Sequence, residues 1–68
     1  MLSKADEMFD EMGFDKIHDN RRRICYKRGC FSDIKFNHKH KWVEVNFNVD
    51  MLELKAIVQK CKELEWIK

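Results

Sequence analysis

No stretch of this chain approaches the roughly 18 to 20 consecutive apolar residues of a membrane-spanning helix, and its first residues lack the apolar core of a signal peptide. A soluble, cytoplasmic protein is the expectation. Cysteine is scarce too: three thiols, an odd number in a chain without export features, argue against a disulfide framework and for free side chains. The chain is also short. Its 68 residues lie near the lower limit at which one hydrophobic core offsets roughly 1.5 kcal/mol of chain entropy per ordered residue. Little interior is left for the water-excluding pocket, on the order of several hundred cubic ångströms, that catalysis needs. A non-enzymatic binding module without a cofactor is therefore expected. With no repeat, linker or low-complexity tract, residues 1–68 are expected to form a single domain.

What the chain does have is charge, unevenly spread. The net charge of +2 hides a value of −4 for residues 1–20, +7 for residues 21–41 and −1 for residues 42–68. A basic middle third of this kind marks either a surface for nucleic acid or an acidic partner, or a solvated sheet face.

Residues 3–12 predict a short helix. Ser3 serves as N-cap with Asp6 three residues on, and Ala5, Met8, Phe9 and Met12 recur at helical spacing. Gly13, one of only two glycines, stops it and brings Phe14 against Phe9 in a Schellman ending. The acidic residues Asp6, Glu7, Asp10 and Glu11 are expected on the wet face. Ile17 belongs at most to a short extended piece, and Asp19-Asn20 signals a turn. Three strands follow, at 22–27, 32–37 and 42–48, in which Ile24 and Tyr26, Ile34 and Phe36, and Val43, Val45 and Phe47 share a face. A second helix opens at Asp50, with Glu53 completing a capping box and Val49 placed to staple against Leu54. Its apolar stripe reads Leu54, Ile57, Val58, Cys61 and Leu64. The fold expected is α+β: helix, three-stranded antiparallel meander, helix, with both helices on one face of the sheet.

Cross-strand partners share a face, so the apolar sets fix loop parity. Pairing Ile24 with Ile34 predicts the loop Arg28-Gly29-Cys30. Pairing Phe36 with Val43 predicts an even loop, either Lys39-His40 or the four residues 38–41. Cys30 and His38 then lie at opposite ends of a strand, on the order of 25 Å apart, although Cys25, Cys30, His38 and His40 together suggest a zinc ligand set. No metal is expected. In the same register Cys25 faces Asp33, which raises a thiol pKa and argues for an inert cysteine.

The uncovered sheet face is the candidate binding surface, through Arg23, Lys27, Lys35 and Trp42. As a protein contact, Trp42 is the anchor and Arg23 a rim residue. As a nucleic-acid site, the same aromatic among cations offers stacking and phosphate contacts, weakened by Glu44 and Asp33. Otherwise Trp42 simply shields its own hairpin. Contact with a host protein is the reading adopted, with nucleic acid as the alternative.

Two stretches carry a resemblance. Ala5-Asp6-Glu7-Met8-Phe9 leading to Gly13-Phe14, and Leu54-Lys55-Ala56-Ile57 leading to Lys60-Cys61-Lys62-Glu63-Leu64 and Trp66-Ile67, resemble small uncharacterised proteins of Firmicutes prophages and mobile elements. The resemblance covers the two helices and implies no activity. This chain departs from the group in carrying Glu65 where glycine often precedes the tryptophan, and in its more basic central strands. A phage accessory protein acting on a host protein is what the resemblance implies.

Overall fold

The computed structural model describes residues 3–67. Its elements run α1 (Lys4–Glu11), β1 (Asp15–Asp19), β2 (Arg23–Arg28), β3 (Ser32–Asn37), β4 (Trp42–Val45) and α2 (Met51–Glu63). The α+β architecture is as expected, but the antiparallel sheet has four strands in the order β1-β2-β3-β4, not three. The additional strand is β1. Its sequence, Asp-Lys-Ile-His-Asp, has one apolar residue and no alternation, and a bulge between Lys16 and His18 breaks its period. Among the described residues, no helix is long and apolar enough to cross a membrane.

Local signals set both helix boundaries. Ser3 Oγ accepts the Asp6 backbone N–H at 3.1 Å. At the other end of α1, Phe14 N–H reaches Phe9 O at 2.9 Å and Gly13 N–H reaches Asp10 O at 3.0 Å, with Gly13 at φ +88°. This is the predicted Schellman ending, and the Phe9 and Phe14 rings meet edge to face. Asp50 and Glu53 form both bonds of the capping box at the start of α2. Its C-terminus repeats the Schellman geometry, Trp66 N–H to Cys61 O and Glu65 N–H to Lys62 O, but the left-handed position is held by Glu65 at φ +63°.

The core joins Ala5 and Phe9 of α1, Ala56 and Ile57 of α2, Phe14, and the alternate residues Ile24, Tyr26, Ile34 and Phe36 of the central strands. Both helices therefore pack on one sheet face. Phe9 stacks on Tyr26 with ring centroids 4.2 Å apart and meets Phe36 edge to face. The β3–β4 register follows expectation, Phe36 opposite Val43 and Ile34 opposite Val45, across the four-residue connection 38–41. Between β2 and β3 the expected pairing is corrected: Ile24 faces Phe36 and Tyr26 faces Ile34, so the loop is Gly29-Cys30-Phe31. A slide of two residues leaves every side chain on its face, and polarity alone does not distinguish the registers. Phe47, expected in the last strand, lies beyond β4 and packs against Phe14.

Charged residues account for two further corrections. Asp6, expected on the wet face of α1, is buried and accepts hydrogen bonds from the Tyr26 hydroxyl and from Lys16 Nζ at 3.0 Å, with Lys60 Nζ at 3.5 Å. Lys60, expected outside the apolar stripe of α2, is only 6% exposed. The buried side of α2 is accordingly Glu53, Ala56, Ile57 and Lys60, while Leu54, expected in the stripe, is 43% exposed. The helix is rotated because its two buried charges have partners: Glu53 takes Arg28 at 2.6 Å and Lys60 takes Asp6. The Arg28 guanidinium also lies 4.5 Å over the Phe14 ring.

Two measurements test this account. Burial alone pushes the Asp6 carboxyl up, but the Tyr26 hydroxyl and the Lys16 and Lys60 ammonium groups outweigh it and hold it at about 2, below its ordinary 3.8. A depressed folded pKa stabilises the fold above the unfolded value and ceases to do so as pH falls through the folded one. Urea titrations between about pH 5 and about pH 2 will show a loss of about 2 kcal/mol that Asp6→Asn lacks. Thermal melts will separate the two left-handed positions. Gly13→Ala will cost about 1 to 2 kcal/mol from torsion alone, because the nearest atom to an added Cβ is Arg28 Cδ at 3.8 Å. Glu65→Gly will raise stability by roughly 0.5 kcal/mol, the relieved strain exceeding the entropy that glycine adds to the unfolded chain.

Candidate functional site

The face of the sheet away from the helices carries three rows of side chains, set by the strand registers. Arg23, Asn37 and Trp42 form the first, His18, Cys25, Lys35 and Glu44 the second, and Asp15, Lys27 and Asp33 the third. The four residues singled out from the sequence share this face but not one site. Arg23 and Trp42 lie in the same row, two strand spacings or about 10 Å apart. Lys35 sits opposite Glu44, and Lys27 lies between Asp15 and Asp33. Carboxylates thus offset the positive charge of both lysines, as they do not for Arg23.

Cys25 faces Lys35 and His18; the expected pairing with Asp33 shifts by two residues with the register. Although it points to the uncovered face, Cys25 is 4% exposed, overhung in a shallow depression by Ile17, Arg23 and Lys35. Burial first, and the nearby Asp33 charge second, push its thiol up. Cys30 lies in the β2–β3 turn and His38 in the β3–β4 turn, at opposite ends of β3. Among the described residues, no three histidine, cysteine or acidic side chains cluster closely enough to hold a metal ion.

The densest grouping of like charge lies at one end of the sheet. The presence of β1 turns residues 20–22 into a connection on the same end as residues 38–41, and a hydrogen bond from His38 N–H to Arg22 O at 3.0 Å ties the two together. Each turn is also fixed internally. Asn20 Oδ1 accepts the backbone N–H groups of Arg22 and Arg23 at 2.9 and 3.0 Å, and Asn37 Oδ1 accepts that of His40 at 3.0 Å. A cleft lined by Arg21, Arg22, Asn37, His38 and Lys39 runs between the turns and continues toward Arg23.

Arg21, Arg22, Arg23, Lys39 and Lys41 form no ion pair among the described residues. No acidic residue occurs at 20–32 or 34–43, and the nearest in sequence, Asp19, is engaged by Lys16 at 2.9 Å. At the rim the His40 imidazole stacks on the Trp42 indole, centroids 4.4 Å apart and planes 23° from parallel, and Trp42 is 53% exposed. The arrangement is a fixed, concave cationic surface with an aromatic at its edge, suited to a polyanion. Sequence reasoning found Arg23 and Trp42 but not Arg21, Arg22, Lys39 or Lys41. The two charge runs are legible; their juxtaposition depends on the β2–β3 register, which sets Arg22 beside His38.

Comparison with family models, with curated proteins and with solved structures finds no match to this chain.

Thiol chemistry provides an independent check of this face. Cys30 is exposed in its turn and will react rapidly with a disulfide reagent in the native protein, whereas Cys25 will react only as the fold opens. Peptide mapping of the labelled sites reads this directly, and fast labelling of Cys25 would contradict the closed outer surface.

Proposed function

We propose that this chain is a non-enzymatic binding protein that holds the phosphodiester backbone of a nucleic acid at the basic end of its sheet. One observation carries the reading: five cationic side chains without acidic partners gather at two hydrogen-bonded turns, and four of them, Arg21, Arg22, Arg23 and Lys39, line one cleft, with Lys41 beside it in the second turn. Charges left unpaired beside one another repel, and a polyanion relieves that repulsion while releasing its condensed counterions. The turns are tied in place, so little ordering is needed on binding. An accessory role in a phage or mobile element, as the resemblance of the two helices implies, accommodates such an activity in the cytoplasm.

Contact with a host protein is the second reading. Arg23 and Trp42 serve it as they serve the first, and Lys27 and Lys35 add rim contacts. Its support is the apolar surface outside the cleft, where Met51, Leu52 and Leu54 of α2 and Val45 of β4 are exposed.

Binding of a fluorescent single-stranded oligonucleotide across a salt series tests the first reading. Five phosphate contacts predict a log–log slope of about −3.5, and Arg22→Gln with Lys39→Gln will make it shallower by about 1.4. Lys27→Gln with Lys35→Gln will change the slope far less, because those lysines face carboxylates. Absence of any salt-dependent binding at low ionic strength sinks the reading and sends attention to that apolar surface.

A further inference from the structure

The cationic cleft accounts for a hold on phosphates and leaves unexplained why a large aromatic side chain stands half-exposed beside it. Trp42 opens β4, the edge strand, on the outer face in the row nearest the two turns. One face of its indole is occupied by the His40 imidazole, the only ring packed on it among the described residues. His40 is itself held by its backbone bond to Asn37, the residue directly opposite Trp42. The pair is thus a supported stack with its outer side open. Next along the row come Asn37 and then Arg23, where the cleft begins.

Resting on the phosphodiester reading above, we infer that the His40–Trp42 pair is a stacking seat for an unpaired base and that the protein therefore selects single-stranded nucleic acid. In a duplex both faces of every internal base are covered by neighbours, so an indole finds a base face only on a single strand or a frayed end. A strand whose phosphates follow Arg22 and Arg23 can lay a base across Asn37 onto the indole. The Asn37 oxygen is taken by His40, and its amide N–H donors have no acceptor among the described residues, which leaves them to meet the edge of a base. The stack adds affinity without reading sequence, since every base has a π-face.

The test uses the isotope-labelled full chain, whose two tryptophans give two indole N–H resonances, titrated at low salt with a short oligodeoxythymidine and with a duplex of equal length. Expected are a shift of the Trp42 indole on adding the single strand, a smaller response of Trp66, and single-strand affinity at least about tenfold above duplex affinity. Trp42→Ala should lower single-strand affinity about tenfold and leave the salt slope unchanged, while Trp42→Phe should retain most of it. The amide spectrum of each variant reports whether the fold is kept. Equal binding of duplex and single strand, or an unmoved Trp42 indole with salt-dependent binding intact, overturns the stacking seat and leaves the phosphate reading standing. No binding of either polymer overturns both.

Discussion

The carboxylate of Asp6 is the point on which the fold closes. It sits in α1 and is engaged by Lys16 of β1, the Tyr26 hydroxyl of β2 and Lys60 of α2, so one side chain ties four of the six elements. A carboxylate in that position, only 9% exposed, is tolerable only with such partners. Its neighbours follow from it. Tyr26 is drawn to the centre of the core, where its ring stacks on Phe9 and its hydroxyl faces a fixed negative charge that, after burial itself, pushes its ionisation up. Lys60 commits α2 to the rotation that buries Ala56 and Ile57. Lys16 gives β1 its one inward side chain with a strong partner.

This internal pairing also shapes the surface. The acidic first third of the chain spends Asp6 and Asp19 on Lys16 and Lys60, and Glu53 is taken by Arg28. None of these carboxylates remains to balance the cations at 21–23 and 39–41. The asymmetry along the sequence thereby becomes an asymmetry in space, with the cations at 21–23 and 39–41 gathered without acidic partners at one end of the sheet. Charge segregation of this sort adds little to stability, because exposed like charges repel, and it bears chiefly on what the surface attracts.

Much of this was legible in the sequence, and the failures share a cause. Caps and helix ends were readable because they depend on residues within one turn of each other: Ser3 and Asp6, Gly13 and Phe14, Asp50 and Glu53. The inward faces of β2, β3 and β4 were readable from alternation. What escaped were elements stabilised by polar partners distant in sequence. A strand whose inner residue is Lys16 carries no apolar signature, and a helix that buries Glu53 and Lys60 shows its apolar stripe in the wrong place. The two-residue slide between β2 and β3 escaped for a different reason, since it alters no side chain's face. The candidate site inherited these gaps. Arg23 and Trp42 were found from the pattern of the strands, while the meeting of the two turns became visible only with the β2–β3 register, which carries Arg22 to His38.

The order of the strands has a consequence for how the molecule comes into being during synthesis. Each strand pairs with the one just before it, so the meander is assembled from short-range hairpins and is able to form progressively as the nascent chain emerges. Asp6 is different: the ammonium group it needs from α2 lies 54 residues further on. Until that segment has been made, the early helix carries its charge into an incomplete interior, and the aromatic layer under it lacks its second cover. The newborn sheet is therefore a waiting template, and the late helix is the step that locks it.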